Sequence, residues 1–498
     1  MKLAVIGGGP AGMAAAVSAR EKGIEDVVLI ERHDYLGGVL PQCIHTGFGT
    51  QLYEKDYTGG EYAWLWVEKT ADAGVRVMTS ATVLSVDRAD AGSADPENPA
   101  VSADVETSAD SLCKAQVQQG KSAGQAGGSA AGPEFSGDRP KWHIKCVSSV
   151  TGAADIYADA VIVATGCRER TLPQMLIPGS RPAGVFTAGS AQLMMNMKNY
   201  LPGRSAVILG SGDIGLIMAR RMTLEGIRVK MILGQEATGL ARNIIQCVED
   251  FDIPMRYGWT LVSTHGYKRL KGVTIAPFGE DGRPAMERRE YIPCDTLLVA
   301  AGLIPELEVI HGYTAEGAGN GLFVCGNASG VHDLADHVTE EGIRTGVQAA
   351  SYLLCKDIDM PQEAVAVRPE ATGRRGNMIC TVCPKGCVMQ VESEPFSVSG
   401  NECQRGASFA KQELQNPERV LTSVAGTDDP AHPVLPVRTS RTIDKSRIYD
   451  VMKAVKRIRV SGSFRPGDIV AENIAGTGAD LIATWYTGRD SLKNGKKK

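Results

Sequence analysis

The sequence lacks the features expected of a membrane-spanning or nucleic-acid-binding protein. Its longest apolar runs, such as 297–301 and the segment through Ile304, are far shorter than the roughly 20 residues that a transmembrane helix needs. The 53 basic and 57 acidic residues nearly balance, so no excess of positive charge is available for nucleic acid or an anionic lipid surface. We therefore expect neither class of partner and no transmembrane segment.

The N-terminus also lacks a secretion signal. Its first residues, MKLAVI, lead directly into glycines, without an apolar segment followed by a small-residue cleavage site. This start predicts a cytoplasmic protein, in which the twelve cysteines are not expected to form a disulfide framework. At about 150 residues per domain, a chain of 498 residues is expected to form about three domains.

Glycine, by contrast, is abundant, and one glycine cluster near the N-terminus has the pattern of a dinucleotide-binding turn. An apolar strand at 2–6 precedes it, a helix at 13–22 follows it, and a second strand at 27–30 ends in Glu31. In such a turn, glycines permit the tight bend, the approach of a pyrophosphate and close helix packing, and the terminal acid accepts hydrogen bonds from ribose hydroxyls. The predicted binding residues of this turn are Gly7, Gly9, Pro10, Ala11 and Gly12.

The same pattern recurs once, after an apolar strand at 206–209 and before a helix at 216–225 and a strand at 229–233. The terminal acid is missing here: the position 24 residues after the first glycine is Gly234, and the next acid is Glu236. The choice between NAD and NADP is therefore open, and a degenerate turn that binds no nucleotide is the alternative. The predicted binding residues of this turn are Gly210, Gly212, Asp213, Ile214 and Gly215.

Two segments differ in composition from the rest of the chain. Residues 91–140 contain 24 Ala, Gly or Ser and one aromatic residue, Phe135, so they bury too little apolar surface to offset the entropy of ordering. They predict a mobile surface insertion. Residues 359–375, rich in Pro, Ala and Arg, predict a linker. Apolar strands are expected at 160–166, which ends in Gly166, and at 296–301, before Gly302.

Four cysteines near the C-terminal end have the spacing C-x2-C-x3-C-x15-C. Four thiolates suit either zinc or a 4Fe-4S cluster. Zinc sites usually pair two CxxC-like knuckles, whereas three cysteines within eight residues and a distant fourth favour the cluster; zinc and free cysteines are the alternatives. The predicted metal ligands are Cys380, Cys383, Cys387 and Cys403.

Together these motifs resemble the flavoprotein disulfide reductase superfamily with two dinucleotide-binding domains. Within it, the sequence resembles a branch that contains the FAD/NAD subunits of hydrogen cyanide synthase, opine oxidase and heteromeric amino-acid dehydrogenases, and the flavoprotein encoded beside anaerobic glycerol-3-phosphate dehydrogenase. The resemblance covers about residues 1–88 and 142–355. The motifs that carry it are the two glycine turns, QCIHTGFG at 42–49, ATG at 164–166, GCRERT at 166–171, GLFVCGN at 321–327 and VHDL at 331–334.

The resemblance implies an α/β fold with two Rossmann-like dinucleotide-binding domains and a small C-terminal cysteine-rich domain at 376–498. The NAD(P)-binding domain at 181–302 would be inserted in an FAD-binding domain formed by 1–180 and 303–358. Asn327 matches a motif that usually ends in Asp, so it keeps an acceptor and loses the charge. The further cofactor-binding residues expected are Arg32, Gly38, Val39, Thr165, Gly166, Gly326 and Asn327.

Two residues are the candidates for catalysis. The disulfide reductases of the superfamily use a cysteine pair beside the flavin, and neither usual pair is present here. Cys43 stands alone where one pair would be, so a redox role, lining of the flavin pocket and plain packing are all open. His332 follows the 326–327 motif, in a loop that leads to the helix whose N-terminus faces the flavin in the family.

The C-terminal cysteine segment resembles the cluster segment of molybdopterin oxidoreductases and a small domain found beside the glycerol-3-phosphate-linked flavoprotein. The resemblance therefore implies an FAD-dependent NAD(P)H oxidoreductase subunit that passes electrons between nicotinamide, FAD and a 4Fe-4S cluster. Its partner in a hetero-oligomer would be an FAD-dependent dehydrogenase, most simply one similar to glycerol-3-phosphate dehydrogenase. The alternatives are a stand-alone NAD(P)H oxidase or quinone or dye reductase, and an assembly subunit with a zinc docking domain.

Overall fold

The computed structural model describes residues 1–89, 142–310, 321–355, 358, 378–393 and 395–487. The expected insertion at 91–140 and the expected linker at 359–375 lie outside the described residues. None of the described helices is long and apolar enough to cross a membrane. The α-helices of the described part are α1 (Pro10–Glu21), α2 (Gly59–Asp72), α3 (Ala188–Met197), α4 (Asp213–Leu224), α5 (Ala241–Cys247), α6 (Ala335–Leu354), α7 (Gln404–Gln415) and α8 (Ile448–Val455).

A five-stranded parallel sheet forms the centre of the first domain. Its three central strands are buried on both faces, because α1, α2 and α6 pack against one side and a small antiparallel sheet covers the other. The chain enters this sheet from segments on both sides of the second domain, so the inserted arrangement that the resemblance implies is confirmed. The strand order is Leu322–Val324, Ala160–Val163, Lys2–Ile6, Asp26–Ile30 and Arg76–Met78.

A second five-stranded parallel sheet forms the centre of the inserted domain. Helices α3 and α4 bury an apolar cluster against one of its faces. Each of the two large sheets therefore places a strand, a glycine turn and a helix at its middle, which is the α/β fold with Rossmann-like domains expected from the sequence. The strand order is Val185–Thr187, Thr296–Val299, Ser205–Leu209, Arg228–Gly234 and Met255–Tyr257.

Smaller antiparallel elements complete the two domains. The strand Trp142–Ser148 lies at the centre of a three-stranded sheet. The strands are Ala81–Arg88, Trp142–Ser148 and Gly152–Ala158 in the first domain, Trp259–Gly266, Leu270–Pro277 and Glu290–Pro293 in the second, and the pairs Thr46–Phe48 with Tyr57–Thr58 and Cys167–Glu169 with Leu303–Pro305.

The C-terminal part of the chain has a core of its own. Helix α8 buries Ile448, Val451, Met452 and Val455, the i, i+3, i+4, i+7 pattern of an amphipathic helix, against a five-stranded sheet. A smaller unit formed by three short strands and α7 carries the four cysteines. The strands are Met378–Ile379, Val388–Ser393 and Phe396–Ser399 in the smaller unit, and Arg459–Val460, Thr422–Thr427, Val434–Thr439, Leu481–Ala483 and Ile469–Ala471, with the pair Glu418–Arg419 and Ile443–Asp444, in the larger.

The C-terminal sheet is packed onto both dinucleotide-binding domains. A Cβ atom at Gly60 would lie 2.4 Å from the carbonyl oxygen of Thr484, so α2 of the first domain lies in backbone contact with the C-terminal chain. Arg438 adds an ion pair with Glu61 at 2.9 Å. On the inserted domain, the buried Arg419 pairs with Asp250 at 2.7 Å. The C-terminal part of the chain therefore contacts both of the domains that carry a glycine turn.

The main errors in the expected elements lie at the glycine turns. Helix α1 begins at Pro10 and not at residue 13, and α4 begins at Asp213 and not at residue 216. The first helical N–H groups have no partner in the helix, so proline and glycine are accepted there although both break a helix interior. The third glycine of each turn therefore lies inside the helix.

Candidate functional site

The first glycine turn has the geometry that a dinucleotide needs. Gly7 has φ +105°, and a Cβ atom there would lie 2.3 Å from the carbonyl oxygen of Ala164. A Cβ atom at Gly12 would lie 1.8 Å from the carbonyl oxygen of Gly7, so helix and strand touch through backbone. At Gly9 the nearest heavy atom, Cα of Gly38, is 4.0 Å from the Cβ position. The front of the turn, at Gly9, is thus open for a ligand, while its back, at Gly7 and Gly12, is closed by backbone.

Glu31 lies beside this turn at the end of its strand. Its carboxylate accepts the N–H of Gly8 at 2.7 Å and the N–H of His33 at 2.8 Å. Burial raises the pKa of Glu31, but the hydrogen bonds from His33 and Gly8 outweigh it and leave the pKa below its ordinary value. Glu31 is therefore ionised at neutral pH and suited to accept hydrogen bonds from ribose hydroxyls.

A cavity of about 420 Å³ lies in front of the turn. Pockets for small ligands usually have roughly 300–1,000 Å³, so the volume of this cavity suits a small-molecule cofactor such as a dinucleotide. The exposed Val39 stands at its wall, and the hydroxyl of Thr165 donates to the carbonyl of Glu306. The expected residues that line the cavity are Gly7, Gly9, Pro10, Ala11, Glu31, Arg32, Gly38, Val39, Cys43, Thr165, Gly166, Asn327 and His332.

Asn327 and His332 belong to one hydrogen-bonded loop at the cavity. The side-chain oxygen of Asn327 accepts the N–H of His332 at 3.0 Å. The imidazole Nε2 of His332 lies 2.6 Å from a carboxylate oxygen of Glu341, which also accepts the N–H of Gly326 at 3.0 Å. Gly326, which was expected to bind the cofactor, thus lies behind the lining and fixes the loop. Sequence reasoning missed Glu341, because no motif links it to the loop that it holds.

Cys43 lines the same cavity. Its thiol lies 3.4 Å from the carbonyl oxygen of Val39 and 3.6 Å from the side-chain oxygen of Gln192. Burial raises the pKa of Cys43 to about 12. A thiol with this pKa is protonated at neutral pH and is a poor nucleophile, so the surroundings of Cys43 favour a lining role over a redox role.

The second glycine turn repeats the geometry of the first. Gly210 has φ +117°, and a Cβ atom there would lie 2.0 Å from the carbonyl oxygen of Ala300. At Gly215 a Cβ atom would lie 2.4 Å from the carbonyl oxygen of Gly210, whereas at Gly212 the nearest atom is 3.8 Å away. Ile214 packs against the apolar cluster beneath α4. The turn therefore has the open front that a second nucleotide requires.

Asp213, also expected to bind the nucleotide, accepts hydrogen bonds from other residues of the chain. One of its carboxylate oxygens accepts the N–H of Leu240 at 2.7 Å and the amide of Asn243 at 2.8 Å. Burial raises the pKa of Asp213 above its ordinary value, although these two hydrogen bonds oppose the rise. Asp213 thus fixes the start of α5 against the turn.

The four cysteines lie in the small unit formed by three short strands and α7. The N–H of the buried Cys380 donates to the carbonyl of Cys387 at 2.9 Å, and Cys403 is exposed at the start of α7. Burial raises the pKa of Cys380, and the neighbouring Cys383, Cys387 and Cys403 raise it further. Within the ranges that the structure describes, no group of three or more His, Cys, Asp or Glu side chains is arranged to hold a metal ion. Four thiols on one short segment nevertheless form a donor set that suits zinc or a 4Fe-4S cluster.

The loop that carries Cys380, Cys383 and Cys387 is docked on α5 of the inserted domain. The side-chain amide of Gln246 donates to the hydroxyl of Thr381 at 2.9 Å. No motif in the sequence marks this contact.

The same face of α5 contacts the first domain, one turn before Gln246. Arg242 donates to the hydroxyl of Thr46 at 2.7 Å and pairs with Asp56 at 2.7 Å. Thr46 lies on the same segment as Cys43 and Phe48, which line the large cavity. One short helix therefore connects the cysteine loop to the wall of the cavity.

Residues 1–324 match the family described as pyridine nucleotide-disulphide oxidoreductase, and residues 404–485 match a family described as a protein of unknown function, DUF1667. The hydrogen cyanide synthase subunit HcnB of Pseudomonas protegens is 25% identical over 327 residues, which cover 61% of this chain and 57% of that protein. An opine oxidase subunit of Agrobacterium tumefaciens is 26% identical over 226 residues, which cover 45% of this chain and 35% of that protein. The chain thus spans about half the length, or less, of these relatives.

Among solved structures, thioredoxin reductase of T. acidophilum is similar with a TM-score of 0.50 and 16% identity, covering 71% of this chain and 98% of that one. This likeness agrees with the two-domain fold. Because the match over residues 1–324 takes in more than half of the sequence, the chain belongs to the pyridine nucleotide-disulphide oxidoreductase family, whose members are FAD-dependent oxidoreductases.

Proposed function

We propose that this chain is an FAD-dependent NAD(P)H oxidoreductase subunit that exchanges electrons between nicotinamide, FAD and a 4Fe-4S cluster. FAD would occupy the cavity at the first glycine turn, the nicotinamide nucleotide would bind at the second, and the four cysteines would hold the cluster. Bound flavin supplies hydride chemistry with the nicotinamide and single-electron chemistry with an iron-sulfur centre.

The observation that carries the proposal is the position of α5. This helix contacts the nucleotide turn through Asn243, the wall of the flavin cavity through Arg242, and the cysteine loop through Gln246. Three separate parts of the chain thus converge on seven residues. A metal centre in the cysteine unit would lie against the same elements that hold the two nucleotides, as an electron-transfer role requires.

The residues of the first turn would bind FAD by distinct contacts. The open front of Gly9 accepts the pyrophosphate, the ionised Glu31 accepts the ribose hydroxyls, and the loop fixed by Asn327 and Glu341 closes the far end. Cys43 would remain a protonated, apolar part of the wall.

The partner would be a separate FAD-dependent dehydrogenase. Several similar proteins are subunits by name, namely those of hydrogen cyanide synthase, opine oxidase and sarcosine oxidase. The resemblance of the sequence to the flavoprotein encoded beside anaerobic glycerol-3-phosphate dehydrogenase favours a dehydrogenase of that kind. We expect this chain to co-purify from its native host with a second flavoprotein. Full substrate turnover by this chain alone would contradict the proposal that it needs a partner.

The test of the proposed function is an anaerobic absorption spectrum of the purified full chain, with iron, zinc and flavin quantified, before and after addition of NADH and NADPH. About four irons and one FAD per chain, and bleaching by a nucleotide, are expected for one 4Fe-4S cluster. One zinc per chain without bleaching would instead favour an assembly subunit with a zinc docking domain. Rapid oxygen or quinone reduction without a partner would favour a stand-alone oxidase or reductase.

A further inference from the structure

The two glycine turns differ at the place where a dinucleotide presents its adenosine ribose. The register of the strands defines the equivalent positions. Ile6 pairs with Ile30, and Leu209 pairs with Leu233. Glu31 directly follows Ile30, and Gly234 directly follows Leu233, so Glu31 and Gly234 occupy equivalent positions. In the second pair the register shifts by one residue next to Ala206, which pairs with Val229 while Val207 pairs with Met231. After this shift the two pairs of strands have the same register.

The second turn has lost the acid, but it has gained a side chain at the residue after its first glycine. In the first turn, Gly8 leaves room for Glu31, whose carboxylate accepts its N–H at 2.7 Å. In the second turn the position of Gly8 is taken by Ser211, and a Cβ atom at Gly234 would lie 2.2 Å from the hydroxyl oxygen of Ser211. The space holds either the glutamate side chain, with glycine at the position of Gly8, or the serine side chain, with glycine at the position of Glu31, but not both side chains.

Ser211 fixes the chain segment that follows the strand. The residue is 5% exposed, and its hydroxyl donates to the carbonyl oxygen of Glu236 at 2.6 Å and lies 3.4 Å from the hydroxyl of Thr238. The chain after the strand is thereby held over the turn. The side chain of Glu236 is exposed beside it.

The charges of this segment discriminate against a phosphorylated ribose. Residues 234–241 contain one ionisable side chain, Glu236, and no Lys or Arg. The next cation along the chain, Arg242, is paired with Asp56 of the first domain. A 2′-phosphate carries about −1.5 to −2 charges at neutral pH, so on this segment it would meet the carboxylate of Glu236 and no Lys or Arg, whereas a 2′-hydroxyl can donate a hydrogen bond to that carboxylate.

We propose that the second site selects NAD(H) over NADP(H), with Ser211 positioning the loop and Glu236 as the residue that excludes the 2′-phosphate. The inference rests on the proposed function, because it names the nucleotide used at the second site.

The first test is calorimetric binding of NAD⁺ and NADP⁺ to the oxidised full chain with its cofactors. NAD⁺ is expected to bind at least about tenfold more tightly, a difference of about 1.4 kcal/mol. Glu236→Lys should reduce that ratio by about tenfold or more. Glu287→Lys, the same charge change at an exposed residue elsewhere in the inserted domain, should leave the ratio unchanged.

The second test uses the mutual exclusion. Gly234→Glu alone should abolish NAD⁺ binding because of the clash with Ser211, and the double variant Ser211→Gly, Gly234→Glu should restore it with a larger preference for NAD⁺. NADP⁺ binding as tight as NAD⁺ binding, or unaltered binding by Gly234→Glu, would overturn the inference and leave the proposed function standing. Failure of both nucleotides to bind the wild-type chain would overturn the proposed function and the inference with it.

Discussion

The side-chain amide of Gln246 donates a hydrogen bond to the hydroxyl of Thr381 at 2.9 Å. Thr381 directly follows Cys380, and Gln246 lies one turn after Arg242, which contacts the wall of the flavin cavity. This contact joins the cysteine loop to the inserted domain.

Loss of the Gln246 contact should slow electron transfer beyond the flavin. In Gln246→Leu we expect unchanged flavin reduction by nucleotide, because the glycine turns are untouched, and slower subsequent reduction of the cysteine-bound centre. Anaerobic stopped-flow absorbance separates the two phases. Gln415→Leu, on the exposed end of α7, is the matched control. Equal rates of the second phase in all three proteins would show that the docking of the loop has no bearing on transfer.

The cysteine unit should lose its iron independently of FAD. In Cys383→Ser one of four thiolates is replaced, so iron is expected to fall from about four per chain to well below that number, while the FAD content stays the same. Cys146→Ser, a buried cysteine in the antiparallel sheet of the first domain, is the control. Iron that is retained at the wild-type level in Cys383→Ser would contradict the ligand assignment.

Two glycines of the first turn should respond differently to the same substitution. Gly9→Ala should fold and bind FAD about tenfold or more weakly, since its methyl group enters the open front of the turn. Gly12→Ala should destabilise the domain itself, because its methyl group would lie 1.8 Å from a backbone oxygen. Circular dichroism and the ratio of FAD to protein measure both effects. Full FAD affinity in Gly9→Ala would argue against the assigned site.

The contribution of Glu31 should depend on pH. Its pKa is lowered in the folded protein from an ordinary value of 4.5, so its ionised form stabilises the fold above that pH, and the contribution is lost as the pH falls through the lowered pKa. The difference in thermal-unfolding midpoint between wild type and Glu31→Gln should therefore shrink between pH 7 and about pH 4 and below. A difference that stays constant over this range would refute the assigned role of the carboxylate.

Cys43 should be dispensable for flavin reduction. Because burial raises its pKa to about 12, its thiol stays protonated, and Cys43→Ala should retain a rate of flavin reduction by nucleotide within about tenfold of wild type. Single-turnover kinetics under anaerobic conditions measure this rate. A loss of about a thousandfold or more with normal FAD content would restore the redox role as the better interpretation.

The glycine turns were readable from the sequence because their chemistry is local. Gly7, Gly9 and Gly12 have the backbone roles that their spacing predicts, and Glu31 follows its strand as expected. The pattern predicts both helix starts three residues too late. At α1, Pro10 marks the true start, because proline favours the first helical position.

The remaining features depend on contacts between distant parts of the chain. Gln246 and Thr381 are 135 positions apart, and no periodicity in either segment reports their meeting. Glu341 fixes His332 and Gly326 from a helix that carries no motif. At the second turn the sequence shows only that the ribose-binding acid is missing. The strand register and the contact between Ser211 and Gly234 show that Ser211 fills the space of that acid.

The most direct test of the central claim is an anaerobic titration of the purified full chain with NADH, followed by visible absorbance and low-temperature electron paramagnetic resonance. Flavin accepts two electrons and a 4Fe-4S cluster accepts one, so the account predicts uptake of about three electrons per chain and an iron-sulfur signal in the reduced protein. Uptake of about two electrons, with flavin bleaching and no iron-sulfur signal, would contradict it.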